Sequence, residues 1–300
     1  MTLEAAISAA TLAIATADEA QNIAITPLQS PAIGFDQFTD TECVEYFRFT
    51  RSQLHQILPH LGLDQITYRH RWQASPEEAF CILLSRLTWQ SVVFNDVIKH
   101  LVTRYMEKLE WDFQHLTYDR LRSYAEYVGA RGRGTSVWGF VDGTLKLVCR
   151  PSRNQRRWYS GYKKRHTIKF QAITTPDGLI SYLVGPFEGK LGDWAAWKQS
   201  QIEQHLRLCV YGDPAYTFNA YMPFLRIAVE HSFGKISSLW PFVTHSRALK
   251  IEHSLVGSYY IIAVLLTNIH TCLNGSQISS HFACPPPSLD KYLSITPPFQ

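Results

Sequence analysis

Hydrophobic positions in the first half of the chain recur every three or four residues, which is the spacing of one face of an α-helix. Thr41 precedes the first of these segments and is a candidate N-cap. Ser75-Pro76-Glu77-Glu78 is typical of a helix start, with a capping serine, proline at the first helical position and acids in the first turn. The pattern predicts helices over Glu42–Leu61 (one helix or two short ones), Ser75 to about Thr88, Phe94–Leu109 and Tyr118–Tyr127.

The pattern changes at Arg131-Gly132-Arg133-Gly134, ahead of a near-continuous apolar run at Val137–Val148. Such a run predicts a buried strand. Pro176-Asp177-Gly178 has the composition of a turn between two later strands. The remaining strands are predicted at His166–Thr174, Leu179–Val184 and Leu206–Tyr211, and helices at Asp193–His205, Phe224–Trp240 and Ser254–Cys272. Strands followed by alternating strand and helices predict an α/β fold with a mixed sheet.

These elements divide the chain into four regions. Residues 1–34 are expected to form a disordered or loosely held arm, because two prolines and a glycine interrupt any continuous element near its end. Residues 35–130 are the helical N-terminal region, and residues 131–275 are the α/β domain. Residues 276–300 are a proline-rich C-terminal tail that we expect to lie along the surface.

Neither targeting nor membrane insertion is indicated by the sequence. The first apolar stretch has no basic residue ahead of it, unlike a secretory signal or a transit peptide. The longest apolar run, around Tyr259–Leu266, is too short to span a bilayer. The six cysteines are far apart and contain no CxxC pair, which argues against a zinc ribbon and against a disulfide framework. We therefore expect a soluble, intracellular protein with reduced thiols.

Charge is concentrated in one stretch of the chain. The 300 residues carry a formal net charge of only +4, but the nine Lys and Arg residues between Lys146 and Lys169 have no acid among them. Because aromatic and polar residues interleave these cations, a polyanion such as DNA or RNA fits the segment better than a membrane does. A solvated basic face is the alternative. The candidate nucleic-acid contacts are Arg150, Arg153, Arg156, Arg157, Lys163, Lys164, Arg165, His166 and Lys169.

Other motifs add less to this picture. Trp158, Tyr159 and Tyr162 lie among the cations, where they would stack on unpaired bases or on arginine, or be buried under the basic loop. The chain has no HExxH motif, so His166 and His231 are interpreted as phosphate contacts or packed residues rather than metal ligands. It also has no GxxxxGK[ST] and no GxGxxG, which argues against an ATPase and against a dinucleotide enzyme.

Three carboxylates occupy positions where convergence is expected. Asp142 interrupts an apolar strand, Asp213 ends a second one, and Glu230 falls within an apolar helix. Carboxylate oxygens suit Mg²⁺ or Mn²⁺, hard ions that bridge protein and phosphate oxygens. Two such ions about 3.5–4 Å apart activate an attacking water or hydroxyl and stabilise the leaving oxygen. The sequence therefore makes metal-dependent phosphoryl transfer a leading hypothesis.

Each acid also has a simpler interpretation. Asp213 precedes Pro214 and could be only a turn former. Glu230 lies one helical turn after Arg226 and could form an i,i+4 ion pair. Asp142-Gly143 could close a hairpin. The joint order of strand acid, strand-end acid and helix acid beside one basic segment favours the catalytic interpretation.

Several motifs together resemble one family. VDGT, RPSRNQRRWYSGYKKRHTIKFQAITTPDGLISYLVGP, GDPAY, FNAYMPFLRIAVEHSFG and YYIIAVLLTNIHTCL are similar to the DDE transposase domain of PIF/Harbinger-type elements, particularly fungal ones. The similarity covers residues 42 to 293. It implies an RNase H-like mixed sheet flanked by helices and preceded by a helical N-terminal region. Asp142, Asp213 and Glu230 match the catalytic triad, and Asp193 of GKLGDW matches a supporting acid.

The resemblance also implies an activity and a setting. Proteins of this family cleave and join DNA strands with two metal ions, Mg²⁺ or Mn²⁺, held by the triad. They act in the nucleus on transposon ends and target DNA, and use their helical N-terminal region in DNA binding. A homo-oligomer and a helper DNA-binding protein are further expected partners.

The sequence departs from the family pattern in three places. The chain between Asp213 and Glu230 is shorter than is usual, although residues 214–223 could span about 33 Å when extended. RLTWQSVVFNDVIKHL joins two pieces that the family separates with a helix-turn-helix-like portion, so this region is interpreted as truncated. His231 stands where Trp or Arg is usual. A catalytically inactive or domesticated DNA-binding relic is therefore the alternative to an active endonuclease.

Overall fold

The computed structural model describes residues 33–68, 74–84, 92–131, 137–200, 202, 209–212, 223–244, 246, 249–251 and 254–294. Side chains are described in these ranges except at residues 92–93, 209–212 and 223–229. The chain forms two units, Met1–Thr103 and Arg104–Gln300. The arm predicted at residues 1–34 lies almost entirely outside the described part, as do residues 295–300.

The described part of the first unit is helical, as predicted. The apolar segment before Leu61 forms two helices, because Arg48 takes a left-handed conformation with φ of 69° and ends the first of them. Short 3₁₀ turns lie at Phe35–Gln37 and Leu63–Gln65. The helices are α1 (Asp40–Phe47), α2 (Arg51–Leu61), α3 (Pro76–Leu84) and α4 (Val92–Glu110), the last of which continues into the second unit.

Helix capping explains where these helices begin. Thr39, not Thr41, caps α1: its hydroxyl accepts a hydrogen bond from the Glu42 amide, and the Glu42 carboxylate accepts one from the Thr39 amide. The prediction of Thr41 was wrong because only Thr39 has a glutamate three positions later to complete the capping box. At α3 the Ser75 hydroxyl accepts a hydrogen bond of 3.1 Å from the Glu78 amide, which confirms the predicted cap.

The second unit contains one mixed sheet. Its strands are β1 (Val137–Leu147), β2 (Tyr159–Ser160), β3 (Arg165–Thr174), β4 (Ile180–Glu188) and β5 (Cys209–Gly212). β3 runs antiparallel between β1 and β4, β2 pairs with the start of β3, and β5 lies parallel to β1. Three antiparallel strands with a fourth strand parallel to the first form an α/β arrangement that is consistent with an RNase H-like fold, as predicted.

Helices flank this sheet. They are the end of α4, then α5 (Tyr118–Gly129), α6 (Gln155–Trp158), α7 (Asp193–Ser200), α8 (Pro223–Leu239), α9 (Val256–Asn274), α10 (Gln277–Phe282) and α11 (Leu289–Leu293). α4, α5, α8 and α9 begin and end within a few residues of the predicted bounds, whereas the short helices α6, α10 and α11 were not predicted. The described part of α7 stops at Ser200, and the predicted continuation to His205 falls largely outside the described residues.

Aromatic side chains join the helices to the sheet. The Phe170 and Tyr260 rings lie 4.5 Å apart between β3 and α9, and Phe140 stacks on Phe282 of α10 at 5.3 Å. α9 is long and apolar enough to cross a membrane, but 72% of its apolar window is buried inside the fold. That burial is typical of a core helix.

α5 packs against β1 within the second unit, Arg104–Gln300. The predicted division of the chain near residue 130 stays a prediction.

The proline-rich tail contains the short helix α11. Leu289 and Leu293 of α11 are 2% and 3% exposed, and the Tyr292 hydroxyl accepts a hydrogen bond from Asn268 at 2.9 Å. These apolar residues cover α9, while Asp290 and Lys291 of the same helix are exposed, so α11 lies at the surface of the unit.

Candidate functional site

Asp142 lies in the middle of β1, opposite Ala172 of β3. It is half-buried, and its Oδ1 accepts a hydrogen bond of 2.8 Å from the amide of Gly143. Since side chains alternate along a strand, Asp142 shares a face with Phe140, which is completely buried. Asp142 therefore belongs to a continuous strand of the sheet, and the alternative in which Asp142-Gly143 closes a hairpin is wrong.

The last residue of β5 lies beside the residue of β1 that precedes Asp142. In the parallel register of β1 and β5, Gly212 is the partner of Val141. Gly212 is the last residue of β5, and Asp213, the predicted second acid, lies outside the described residues. The described strands thus bring together the two residues that precede Asp142 and Asp213 in the chain.

Glu230 lies on α8 and is exposed. It lines a pocket of about 490 Å³ together with His231, Lys235 and His270. The side chain of Arg226, its alternative ion-pair partner, is not among those described. Of the described residues, no three His, Cys, Asp or Glu side chains are grouped closely enough to hold a metal ion.

Asp193 begins α7 and is bound by a lysine. Its Oδ1 lies 2.8 Å from the Nζ of Lys169, whose side chain is only 6% exposed. Lys169 was predicted as a nucleic-acid contact and Asp193 as a supporting metal ligand. The structure brings these two residues together in one ion pair between β3 and α7.

The other predicted cations are at the surface. Arg150, Arg153, Arg156, Arg157, Lys163, Lys164 and Arg165 are all exposed. His166 is half-buried, and burial together with the charge of Arg150 lowers its pKa. α6 and the β2–β3 hairpin carry most of these residues on one short stretch of chain. The basic segment therefore presents seven guanidinium and ammonium groups to solvent.

One acid lies at the edge of this surface. Glu188 accepts a hydrogen bond from the Arg157 Nε at 2.6 Å, and its other oxygen lies 3.2 Å from the Lys190 Nζ. The interactions with Lys190 and Arg157 hold the pKa of Glu188 below its ordinary value. These three residues line an open groove of about 630 Å³ with Asn154 and Arg156. Lys190 thus extends the basic surface, although the sequence did not single it out.

Lys146 was counted among the nine cations of the basic segment but not among the candidate nucleic-acid contacts. It lies on the same face of β1 as Asp142, four positions later, and is 9% exposed. Its Nζ lies 4.7 Å from the ring centroid of Tyr260 and 5.9 Å from that of Phe233. Burial lowers the pKa of Lys146 to about 8. Lys146 lies an even number of positions after Asp142 in an apolar strand, which places both on one face of it. This spacing is the sequence signal that could have identified Lys146.

The pocket beside Glu230 contains two more perturbed groups. The Nζ of Lys235 donates hydrogen bonds to the Thr271 hydroxyl at 2.9 Å and to the Gly275 carbonyl at 3.0 Å. Burial lowers the pKa of Lys235 to about 8. Burial and the nearby charge of Lys235 lower the pKa of His270 to about 4. Lys235 therefore ties α8 to the carboxyl end of α9.

Asp177 was predicted only as a turn residue, and it is the centre of a buried polar network. It is completely buried, lies 3.0 Å from His115, and accepts hydrogen bonds from Tyr124 and Thr175. Burial raises the pKa of Asp177, but these hydrogen bonds and the charge of His115 together lower it by more. The pKa of Asp177 therefore lies below its ordinary value. The turn itself is confirmed by Gly178, whose φ of 84° is left-handed.

One comparison with known proteins gives a match. Residues 141–225 match the family model described as DDE superfamily endonuclease. No curated protein and no solved structure matches the chain. The matched segment contains Asp142 and Asp213 and ends before Glu230. The match supports a DDE transposase-type domain in this part of the chain, which implies DNA as substrate and suggests transposase-like nuclease activity.

Proposed function

We propose that residues 131–275 form a divalent-metal-dependent DNA endonuclease and strand transferase of the PIF/Harbinger type. Asp142, Asp213 and Glu230 are the catalytic residues in this proposal. The observation that carries it is the pairing of Val141 with Gly212 in parallel strands. Asp142 follows Val141 directly in the chain, and Asp213 follows Gly212. Consecutive Cα atoms are about 3.8 Å apart, so each acid is one such step from a member of the pair.

The donor chemistry of these residues fits a hard divalent ion. All three are carboxylates, which are the oxygen ligands that Mg²⁺ and Mn²⁺ prefer. Asp142, Asp213 and Glu230 would hold the metal, with Asp193 as a supporting residue that acts through its ion pair with Lys169. When bound, two such ions activate the attacking oxygen and stabilise the leaving oxygen at phosphorus.

The protein's own residues would position the substrate. Seven exposed cations of the basic segment bind the phosphate backbone, and Lys190 extends that surface along the groove at Glu188. Asp142 is held opposite Ala172 of β3, one residue after the last pair that joins β1 to β5. Catalysis would then depend mostly on positioning and electrostatics, which dominate phosphoryl transfer.

The setting follows from the same proposal. An enzyme that cuts transposon ends acts on DNA in the nucleus, as a homo-oligomer or with a helper DNA-binding protein. The helical region at residues 35–130, a truncated helix-turn-helix-like region, would contribute to DNA binding.

A DNA-binding relic without turnover is the second candidate. The observation that favours it is that the family match ends at residue 225, before Glu230. In this case the basic segment still binds DNA in a salt-sensitive manner, but no cleavage accompanies the addition of metal.

Cleavage of a terminal-repeat DNA in the presence of Mn²⁺ tests the proposal. The parent chain should cut, whereas Asp142→Asn and Glu230→Gln should reduce cutting to background. Glu126→Gln is the matched control, since Glu126 is a helical acid that is 72% exposed and lies 3.9 Å from Arg122. Cutting by Asp142→Asn at the parent rate would refute the assignment, and binding without cutting by the parent chain would favour the relic.

A further inference from the structure

The β2–β3 hairpin carries a fixed tip. Tyr159 pairs with His166 and Ser160 pairs with Arg165, so residues 161–164 form the connecting loop. The Lys163 amide donates a hydrogen bond of 3.2 Å to the Ser160 hydroxyl, and Lys164 takes a left-handed conformation with φ of 54°. The four loop residues are exposed. The tip is thus held by this local hydrogen bond to Ser160, and its residues face solvent.

Tyr162 is the most exposed large hydrophobic residue in the described part of the chain, at 83%. The Nζ of Lys163 lies 5.0 Å from the centroid of its ring. Lys163, Lys164 and Arg165 follow it directly and are all exposed. An aromatic ring is therefore displayed at the tip, next to three consecutive cations and with no acid between Lys146 and Lys169.

We propose that Tyr162 stacks on an unpaired base of DNA held by the basic segment. This inference rests on the proposed function, because it takes DNA as the polyanion. The three cations after Tyr162 would contact phosphates on either side of the stacked nucleotide. Stacking tolerates any base, since every base presents a π-face, and lysine beside the ring adds a cation–π contribution.

Tyr162 should contact an unpaired base rather than a base in a closed duplex. In a duplex each base is already stacked between its neighbours, so a tyrosine on a hairpin tip would first have to unstack them. A single strand, a frayed end or a flipped nucleotide offers a base face without that cost. The protein should therefore prefer DNA with unpaired bases over the same sequence as a closed duplex.

Fluorescence anisotropy tests this inference. The probes are a labelled single-stranded oligonucleotide and its blunt duplex, in EDTA and at low salt, so that neither metal nor cleavage is involved. Tyr162→Ala should weaken binding to the single strand about 5- to 100-fold, and binding to the duplex much less. Tyr162→Phe should bind like the parent chain, because it keeps the ring. Tyr118→Ala removes a tyrosine that is 53% exposed outside the basic segment, and it should have no effect.

The outcomes separate this inference from the proposed function. If the parent chain binds neither probe, both the proposed function and the stacking role fail. If the parent chain binds and Tyr162→Ala binds the single strand equally well, only the stacking role fails. An equal loss on both probes would also overturn stacking, since it would assign Tyr162 to a backbone contact.

Discussion

The Nζ of Lys169 lies 2.8 Å from Oδ1 of Asp193, and this ion pair joins the middle of β3 to the first residue of α7. Lys169 is flanked by Leu145 in β1 and Phe187 in β4, so its side chain is shielded from water within the sheet. Asp193 is 40% exposed and is the partner that compensates for the buried charge. The pair accounts for two residues that the sequence assigned to different roles.

We expect Asp193→Asn to lower the free energy of unfolding by about 1–3 kcal/mol, because it leaves a buried ammonium without its counter-charge. Urea unfolding measures this. In a Lys169→Met background the same substitution should cost little, since the buried charge is gone. Because Asp193 supports the metal site only through this ion pair, the Mn²⁺ concentration needed for DNA cleavage should rise only slightly. A raised Mn²⁺ requirement with unchanged stability would instead make Asp193 a metal ligand.

Disrupting the buried network around Asp177 should lower the free energy of unfolding strongly. Asp177→Asn removes the charge that faces His115 and accepts from Tyr124 and Thr175. We expect it to lower the free energy of unfolding by about 3–5 kcal/mol at neutral pH. Asp64→Asn, which changes an exposed acid, is the control and should have little effect.

The same network should be sensitive to acid. The pKa of Asp177 is lower when the protein is folded than its ordinary value of 3.8. Its stabilisation is therefore complete above that ordinary value and is lost as the pH falls through the lowered pKa. The difference in stability between the parent chain and Asp177→Asn should shrink over that acid range. A difference that stayed constant would show that Asp177 is not ionised in the folded protein.

His270 should make the fold less stable at mildly acidic pH. Burial and Lys235 lower its pKa to about 4 from an ordinary value of 6.5. Between these values the unfolded chain takes up a proton that the folded chain does not, so stability falls as the pH falls. Over that window we expect a loss of roughly 1–3 kcal/mol, allowing for partial exposure. His270→Gln should unfold in urea with a flatter pH dependence, and an unchanged slope would contradict this.

Elements whose signals are local were predictable from the sequence. Ser75 caps α3 because its partner Glu78 is three residues away, and Asp142 lies on β1 because the run around it is apolar. β1, β3 and β4 were also predicted in order, since each is bounded by turn residues or by a change of period, whereas the two-residue strand β2 was not predicted. These features depend on a few neighbouring residues, which a single sequence displays directly.

Features that depend on distant partners were not predictable. Asp177 looks like a turn residue because His115 is 62 positions away and Tyr124 is 53 positions away. Lys169 looks like a surface cation because nothing in its neighbourhood shows that β1 and β4 cover both sides of β3. The pairing of Val141 with Gly212 also joins distant segments, but here the order of strands and acids along the chain already led us to expect that Asp142 and Asp213 converge.

The basic segment should give DNA binding a salt dependence that follows exposure. Lys163→Ala and Lys164→Ala each remove an exposed ammonium, so each should reduce the slope of log K against log salt by about 1. Arg122→Ala is the control, because Arg122 is 72% exposed on α5, outside the basic segment, and should leave the slope unchanged. Anisotropy titrations of a duplex at several salt concentrations measure these slopes. Equal slopes for all four proteins would show that the hairpin tip does not contact phosphate, and that the charge of the segment acts elsewhere on its surface.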